Sequence, residues 1–367
     1  MDYNKRVKSL IERISLEGLK VAVVFGESNL LYYTGTDAGK ALIVSSDQST
    51  IILSSSLDYD RALKEKALGD VYLYSEYLDI EEDKFVKGDL ITALNTILTK
   101  IGVSGEDVGF TLNSLSYENY LSLRKILGKE PKDISKLVAR MRSIKDKEEL
   151  EIIRKAIEVS QEALRKGIDS LERGIREIDV LRIIEDVFRH RGAFNAFTPI
   201  VVFGDHGAQP HAVPGARELK EGDLVIIDLG ARLEGYCSDV TRTLVYGKSS
   251  EKQRRLLKVV LRAQREAIEA IKSGVKASYI DEAARSVLKE EGLSQYFIHG
   301  TGHGVGVDIH ELPYLTPTSK DDLVAGMVVT VEPGVYIRGY GGVRVEDMVL
   351  VRSGDYELLT SFERDLF

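Results

Sequence analysis

Apolar and polar positions follow two rhythms along this chain. Recurrence every three or four residues predicts helices, and short apolar or alternating runs bounded by turn residues predict strands. A helix is expected over about 4–17, with Val7, Leu10, Ile11 and Ile14 facing inward, followed by a buried strand at Val21–Phe25. Residues 28–35 are turn-rich. Residues 41–44 and 50–53 flank Ser45, Ser46, Asp47 and Gln48 as a hairpin would. Helices near 58–68, 88–101 and 117–127 alternate with short strands near 71–75 and 107–111. This alternation predicts a small α/β domain on a mixed or parallel sheet.

Residues 133–148 read as a junction, with Ser143 and Asp146 placed to cap the next helix. That helix runs to about 171, with Leu150, Ile153, Ile157 and Leu164 on one stripe, and a second covers about 177–190. Extended chain over 197–211 leads into Gly222–Arg242, GDLVIIDLGARLEGYCSDVTR. The order then recurs. A helix over 250–272 buries Leu256, Val259, Ala263, Ala267 and Ile271, and a second is capped by Ser278. Extended chain leads to Gly326–Glu346, GMVVTVEPGVYIRGYGGVRVE. At an offset of 104 (228 to 332), Gly222 meets Gly326, Asp228 meets Glu332 and Tyr236 meets Tyr340. A helix–helix–hairpin unit present twice predicts helices covering one face of a curved antiparallel sheet. The expected division is 1–132, a linker at 133–148, and 149–367.

Composition narrows the setting. The 367 residues carry a net charge of −8 with no basic block, which argues against nucleic acid as a partner. No apolar run approaches the roughly 18 residues of a membrane span, and the first segment has no signal-peptide core. Cys237 is the single cysteine, which excludes an internal disulfide and fits a reducing cytoplasm. The six histidines (His190, His206, His211, His299, His303, His310) all lie in the second half, so the chemistry is expected there.

The repeat places acids at the ends of apolar strands: Asp228 and Asp239 in one copy, Glu332, Glu346 and Asp347 in the other. Carboxylates in a core must pair with buried cations or hold metal. Between the copies, His303 sits among alternate glycines, which let neighbouring backbones pack closely and leave an imidazole room to reach inward. Four carboxylates and one imidazole suit two divalent ions of the Mn, Co or Zn kind better than a thiolate zinc site. Other motifs fail. Gly35 to Ala41 is one residue short of a phosphate loop and lacks its Ser or Thr, and Pro313 breaks any zincin helix begun by His310 and Glu311. His190, His206 and His299 read as structural, and Cys237 as a small buried residue.

These residues resemble the pita-bread metallopeptidases, most closely the Xaa-Pro peptidases prolidase and aminopeptidase P. The resemblance spans essentially the whole chain, with Asn29 to Gly35 as its weaker N-terminal part. It implies a creatinase-like α/β domain followed by a pita-bread domain with a pseudo-twofold repeat, an α/β (α+β) fold. It also implies Asp228, Asp239, His303, Glu332 and Glu346 as metal ligands, with Asp239 and Glu346 bridging the two ions and a bridging hydroxide as nucleophile. Glu332 is further implied as general base, and His211 and His310 as stabilisers of the carbonyl and tetrahedral intermediate. Arg344 and Tyr236 match positions that orient ligands, and Thr241 a threonine beside the metal water. Some archaeal-type relatives carry an arginine after the proline of the His310 motif, where it holds a dipeptide's carboxylate; this chain has Tyr314. The implied activity is hydrolysis before a C-terminal proline, with the aminopeptidase acting on longer Xaa-Pro peptides as the alternative. Homodimers are implied as well. The scaffold also hosts metal-free creatinase and binding modules, which usually lose several ligand positions; here all five are filled.

Overall fold

The computed structural model describes residues 1–103 and 105–366. The chain divides into two compact units, Met1–Arg142 and Ser143–Phe367. The first holds helices α1 (Tyr3–Leu16), α2 (Glu27–Thr34), α3 (Tyr59–Glu65), α4 (Leu90–Lys100) and α5 (Tyr117–Leu127). Its strands are β1 (Val21–Phe25), β2 (Ala41–Ser45), β3 (Thr50–Ser55), β4 (Asp70–Ser75), β5 (Phe85–Lys87), β6 (Val108–Phe110) and β7 (Lys132–Asp133). Among the described residues they form one mixed sheet in the order β5-β4-β3-β2-β1-β6-β7, with β2 and β3 as the expected hairpin. Val7, Leu10 and Ile14 of α1 are buried as their spacing predicts.

The turn-rich stretch 28–35 is instead a helix. Leu30, Tyr32 and Tyr33 bury themselves, Asn29 donates to the Phe25 carbonyl, Thr34 donates to that of Leu30, and Gly35 closes the helix at φ 80. Burial and back-bonded polar side chains override the weak helix propensity of this composition. Residues 133–148 carry α6 (Ser135–Ser143), with Ile134, Val138 and Met141 buried.

In the second unit, α7 (Lys147–Asp169) and α8 (Glu177–His190) precede β8 (Phe194–Asn195), β9 (Ile200–Phe203), β10 (Leu224–Leu229), β11 (Ala231–Leu233), β12 (Tyr236–Cys237) and β13 (Val240–Val245). Then come α9 (Glu251–Glu269), α10 (Ala277–Glu290), β14 (Gly302–Gly304), β15 (Glu311–Leu315), β16 (Val328–Val331), β17 (Gly334–Ile337), β18 (Gly341–Arg344), β19 (Asp347–Val351) and β20 (Tyr356–Leu358). Two caps differ from expectation. Asp146 with Glu149 forms the capping box of α7, while Ser143 ends α6. Ser278 lies inside α10, whose cap residue is Lys276, and the Ala277 N–H is met by the Asp321 carbonyl at 2.9 Å. The extended run over 197–211 is broken by a short 3-10 turn at Gly204–Ala208.

The repeat is physical. α7 and α8 pack on β9, β10, β11 and β13 around Ile184, Phe203 and Ile227, and α9 and α10 pack on β16, β18 and β19 around Val260, Ala284 and Val349. β10 pairs antiparallel with β13 as β16 does with β19, and β11 with β12 as β17 does with β18. Asp228 and Glu332 hold the 104 offset, but loops of different length stretch the later part. The structural counterpart of Asp239 is Glu346, 107 residues on, since each immediately precedes a strand, β13 or β19.

Candidate metal centre

Both copies send acids to one place. Asp228, near the end of β10, lies opposite Thr241 on β13. Glu332 follows β16, its backbone N–H fixed on the Thr301 carbonyl at 2.8 Å. His303 is the middle residue of β14, beside Tyr314 on β15. Its neighbouring glycines are required: a Cβ on Gly302 would run into the carbonyl oxygen of Thr330, and one on Gly304 into that of Leu312. Gly302→Ala is therefore expected to cost about 1–3 kcal/mol by overpacking, read as a lowered midpoint in urea. An unchanged midpoint would show that β14 has room to shift.

Ligand-type atoms of Asp239, His303 and Glu346, all buried, lie within 4.8 Å of one another. His303 Nε2 is 3.2 Å from Glu332 Oε1 and 3.7 Å from Asp239 Oδ2. Nδ1 lies 3.1 Å from the Gly304 carbonyl oxygen, an acceptor for its proton, and Nε2 faces the acids. Thr241 donates to Glu346 Oε2 at 2.8 Å and accepts from Arg344 Nε at 3.2 Å. Arg344 also donates to Asp228 Oδ2 at 2.5 Å and to the Tyr336 hydroxyl at 2.7 Å, and Tyr336 lies 3.0 Å from His299 Nε2.

Burial pushes Asp239 and Glu346 well above the usual carboxylate range, with neighbouring acids adding to the rise. Asp228 is raised by burial despite Arg344. Burial works on Glu332 in the same sense, but the contact with His303, with His299 and Arg344 adding to it, outweighs burial and holds that carboxyl low, at about 2. Four acids with one arginine carry more negative charge than a buried site tolerates without a cation. Asp228 Oδ1 is also buried with no protein partner. An orphaned carboxylate oxygen beside three converging oxygen and nitrogen donors fits a divalent cation.

The cluster opens into a cavity of about 490 Å³. Its lining combines polar side chains, among them His211, His299, His310 and Arg344, with apolar ones, among them Phe197, Pro199, Ile200 and Val213. The rings of His303 and His310 meet edge-on at 4.3 Å.

Residues 151–353 match the model of metallopeptidase family M24, and residues 6–144 that of the creatinase/prolidase N-terminal domain. This chain belongs to metallopeptidase family M24. It is 37% identical over 365 residues to a Xaa-Pro dipeptidase of Pyrococcus furiosus, covering 99% of both chains. Among solved structures, a prolidase from Pyrococcus horikoshii aligns with a TM-score of 0.87 at 31% identity over 99% of this chain and 100% of that one. An X-Pro aminopeptidase from Thermotoga maritima aligns at 0.88 and 27% identity over 98% and 99%.

In this M24 chain the sequence-derived residues Asp228, Asp239, His303, Glu332 and Glu346 meet in one cluster, with Thr241 and Arg344 bonded to them. His211, His310 and a half-exposed Tyr314 line the cavity. Tyr236 lies elsewhere: it is buried, and its hydroxyl donates to Glu149 at 3.0 Å. The tyrosine that meets Arg344 is Tyr336. His299, read as structural, lines the cavity, whereas His206 does not and contacts a buried carboxylate instead. Its Nδ1 lies 2.9 Å from the buried carboxylate of Glu177, which also accepts from Phe203 N and Gly215 N and so fixes the loop carrying His211. Tyr236 and Tyr336 sit on short strands of different copies, β12 and β17, and only the packing across the fold shows which one meets Arg344.

Proposed function

We propose that this M24 chain is a Xaa-Pro dipeptidase that uses two divalent ions, Mn, Co or Zn, to hydrolyse the bond before a C-terminal proline. The observation that carries this reading is the buried Asp239–His303–Glu346 cluster, with the orphaned Asp228 oxygen, at the floor of a half-apolar cavity suited to a proline ring. The relatives named as Xaa-Pro dipeptidase and prolidase support it. The five ligands are Asp228, Asp239, His303, Glu332 and Glu346. Bound there, divalent ions polarise a carbonyl and make water nucleophilic near neutral pH.

The remaining work falls to side chains. Glu332 accepts the proton of the attacking water and passes it to the departing proline nitrogen. Burial, with His303 beside it, lowers the pKa of His310, so at neutral pH its imidazole is uncharged and donates N–H to the developing oxyanion; His211 does so from the opposite loop. Arg344 orients Asp228, and Thr241 orients Glu346. Tyr314 lines the cavity, where Arg344 is the only arginine among the described lining residues. Release of the first residue from longer Xaa-Pro peptides is the alternative that a tripeptide assay excludes or establishes.

The test uses chelated protein with Mn or Co added back. Free proline is measured from Ala-Pro and Leu-Pro, and the first amino acid from an Xaa-Pro-Xaa tripeptide. Chelation is expected to remove activity and added metal to restore it on dipeptides. Faster tripeptide cleavage would establish the second reading, and no cleavage of either would end the peptidase reading. The proposal includes a cytoplasmic homodimer. Cys237 is buried and its thiol donates to the Val307 carbonyl, and Leu57 and Tyr77, just past the ends of neighbouring strands β3 and β4, are 93% and 91% exposed, an apolar area suited to pairing. Among the described residues no helix is long and apolar enough to cross a membrane.

A further inference from the structure

Behind the metal cluster lies a second polar network that never reaches the cavity. Asp347 follows Glu346, so its side chain takes the opposite face. It is fully buried, and each carboxylate oxygen accepts twice. Oδ1 accepts from Arg242 Nη2 at 2.8 Å and Thr360 Oγ1 at 2.5 Å, and Oδ2 from Gln264 Nε2 at 2.9 Å and Arg364 Nε at 2.5 Å.

Arg242 is buried with no exposed surface. Besides Asp347, its guanidinium donates to the carbonyls of Thr241 at 2.9 Å, Glu346 at 2.5 Å, Phe362 at 2.7 Å and Glu363 at 2.7 Å. Gln264, on α9, also donates to the Val331 carbonyl at 3.1 Å. The network thus grips the backbone at Val331, at Thr241 and at Glu346 itself, which are next to Glu332, beside Asp239 and at the ligand. Residues 359–366 complete it from outside the repeat. None of Arg242, Gln264, Asp347, Thr360 or Arg364 lines the cavity.

We propose that Asp347 is a positioning residue. With Arg242, Gln264 and the segment 359–366, it sets the spacing of Glu332 and Glu346 and so the affinity for the divalent ions. The inference rests on the reading of those acids as metal ligands. It assigns the acids of the second hairpin to two tasks: Glu332 and Glu346 face the cation, while Asp347 is neutralised by two arginines and braces their backbone. Outer partners of metal ligands typically govern affinity by about 10–100-fold.

The experiment titrates Mn²⁺ into metal-free full-length protein by calorimetry, for the parent, Asp347→Asn and Arg364→Met, with circular dichroism as a check on folding. Steady-state kinetics follow over a range of Mn²⁺. The expected result is a Kd for Mn²⁺ about 10–100-fold weaker in Asp347→Asn and weakened in the same direction in Arg364→Met. KM is expected to stay at the parent value, and kcat to return at saturating Mn²⁺. Arg364, at the edge of the network, keeps the test open if Asp347→Asn does not fold. Parent-like Mn²⁺ affinity in Arg364→Met, or a kcat that stays low at saturating Mn²⁺, would overturn the inference. Absence of Mn²⁺ binding by the parent protein would instead defeat the metal reading, and this inference with it.

Discussion

Glu332→Gln is expected to lower kcat by about 10²–10⁴-fold, the usual contribution of a positioned general base. Glutamine keeps the shape and one carbonyl oxygen, so the packing after β16 is little changed, but it loses the charge of a proposed ligand, so the comparison is made at saturating metal. It cannot accept a proton. Glu332 is the one acid of the cluster held low, so it is ionised at neutral pH as an acceptor must be. Its position is fixed twice, by its backbone N–H on Thr301 and by Thr330 Oγ1 at 3.4 Å from Oε1. Loss of kcat with KM within a few-fold and full metal content, measured by atomic emission, would match this role. A kcat within tenfold of the parent at full metal content would remove Glu332 as the base.

The second large effect is on stability. Lys145 has a fully buried side chain whose Nζ lies 2.5 Å from Glu311 Oε1 and 3.1 Å from the Ser143 carbonyl. Glu311 is itself buried, follows His310 and lies opposite Gly304 beside His303. Lys145→Met strips Glu311 of this cation inside the protein, which costs about 3–5 kcal/mol. At about 2–4 °C per kcal/mol for a unit of this size, the melting midpoint is expected to fall by roughly 6–20 °C. Replacing both partners, Lys145→Met with Glu311→Gln, should recover much of the loss, because no buried charge is then stranded. Calorimetry on the two variants decides. A single variant that melts with the parent would mean that the pair's attraction only balances its desolvation.

Much of this site was legible in the chain because its candidate ligands stand out against apolar surroundings. Asp228 and Glu332 end strands that are otherwise apolar, and His303 sits between glycines that only a close backbone approach explains. The first unit was legible through strands 21–25, 41–45 and 50–55, whose turns are marked. What stayed hidden depends on contacts across the fold. The sequence offered buried acids two fates, pairing or metal, and only the packing assigns Asp347 to Arg242 and leaves Asp239 to the cluster. A constant offset also concealed that Asp239 and Glu346 are counterparts, since unequal loops move the second ligand by three positions relative to the first. Helix α2 was missed because its stability comes from buried Leu30 and Tyr33, not from its own propensity.

The two copies of the hairpin have a consequence for how the protein is made. Asp228 and Asp239 leave the ribosome well before His303, Glu332 and Glu346, and no single copy carries a complete set of donors. A nascent chain that has emerged only to the end of α10 carries two of the five proposed donors, Asp228 and Asp239. With the ligands proposed above, a complete ion site forms only after both copies have been synthesised and have docked. An ion bound there stabilises the finished fold by mass action.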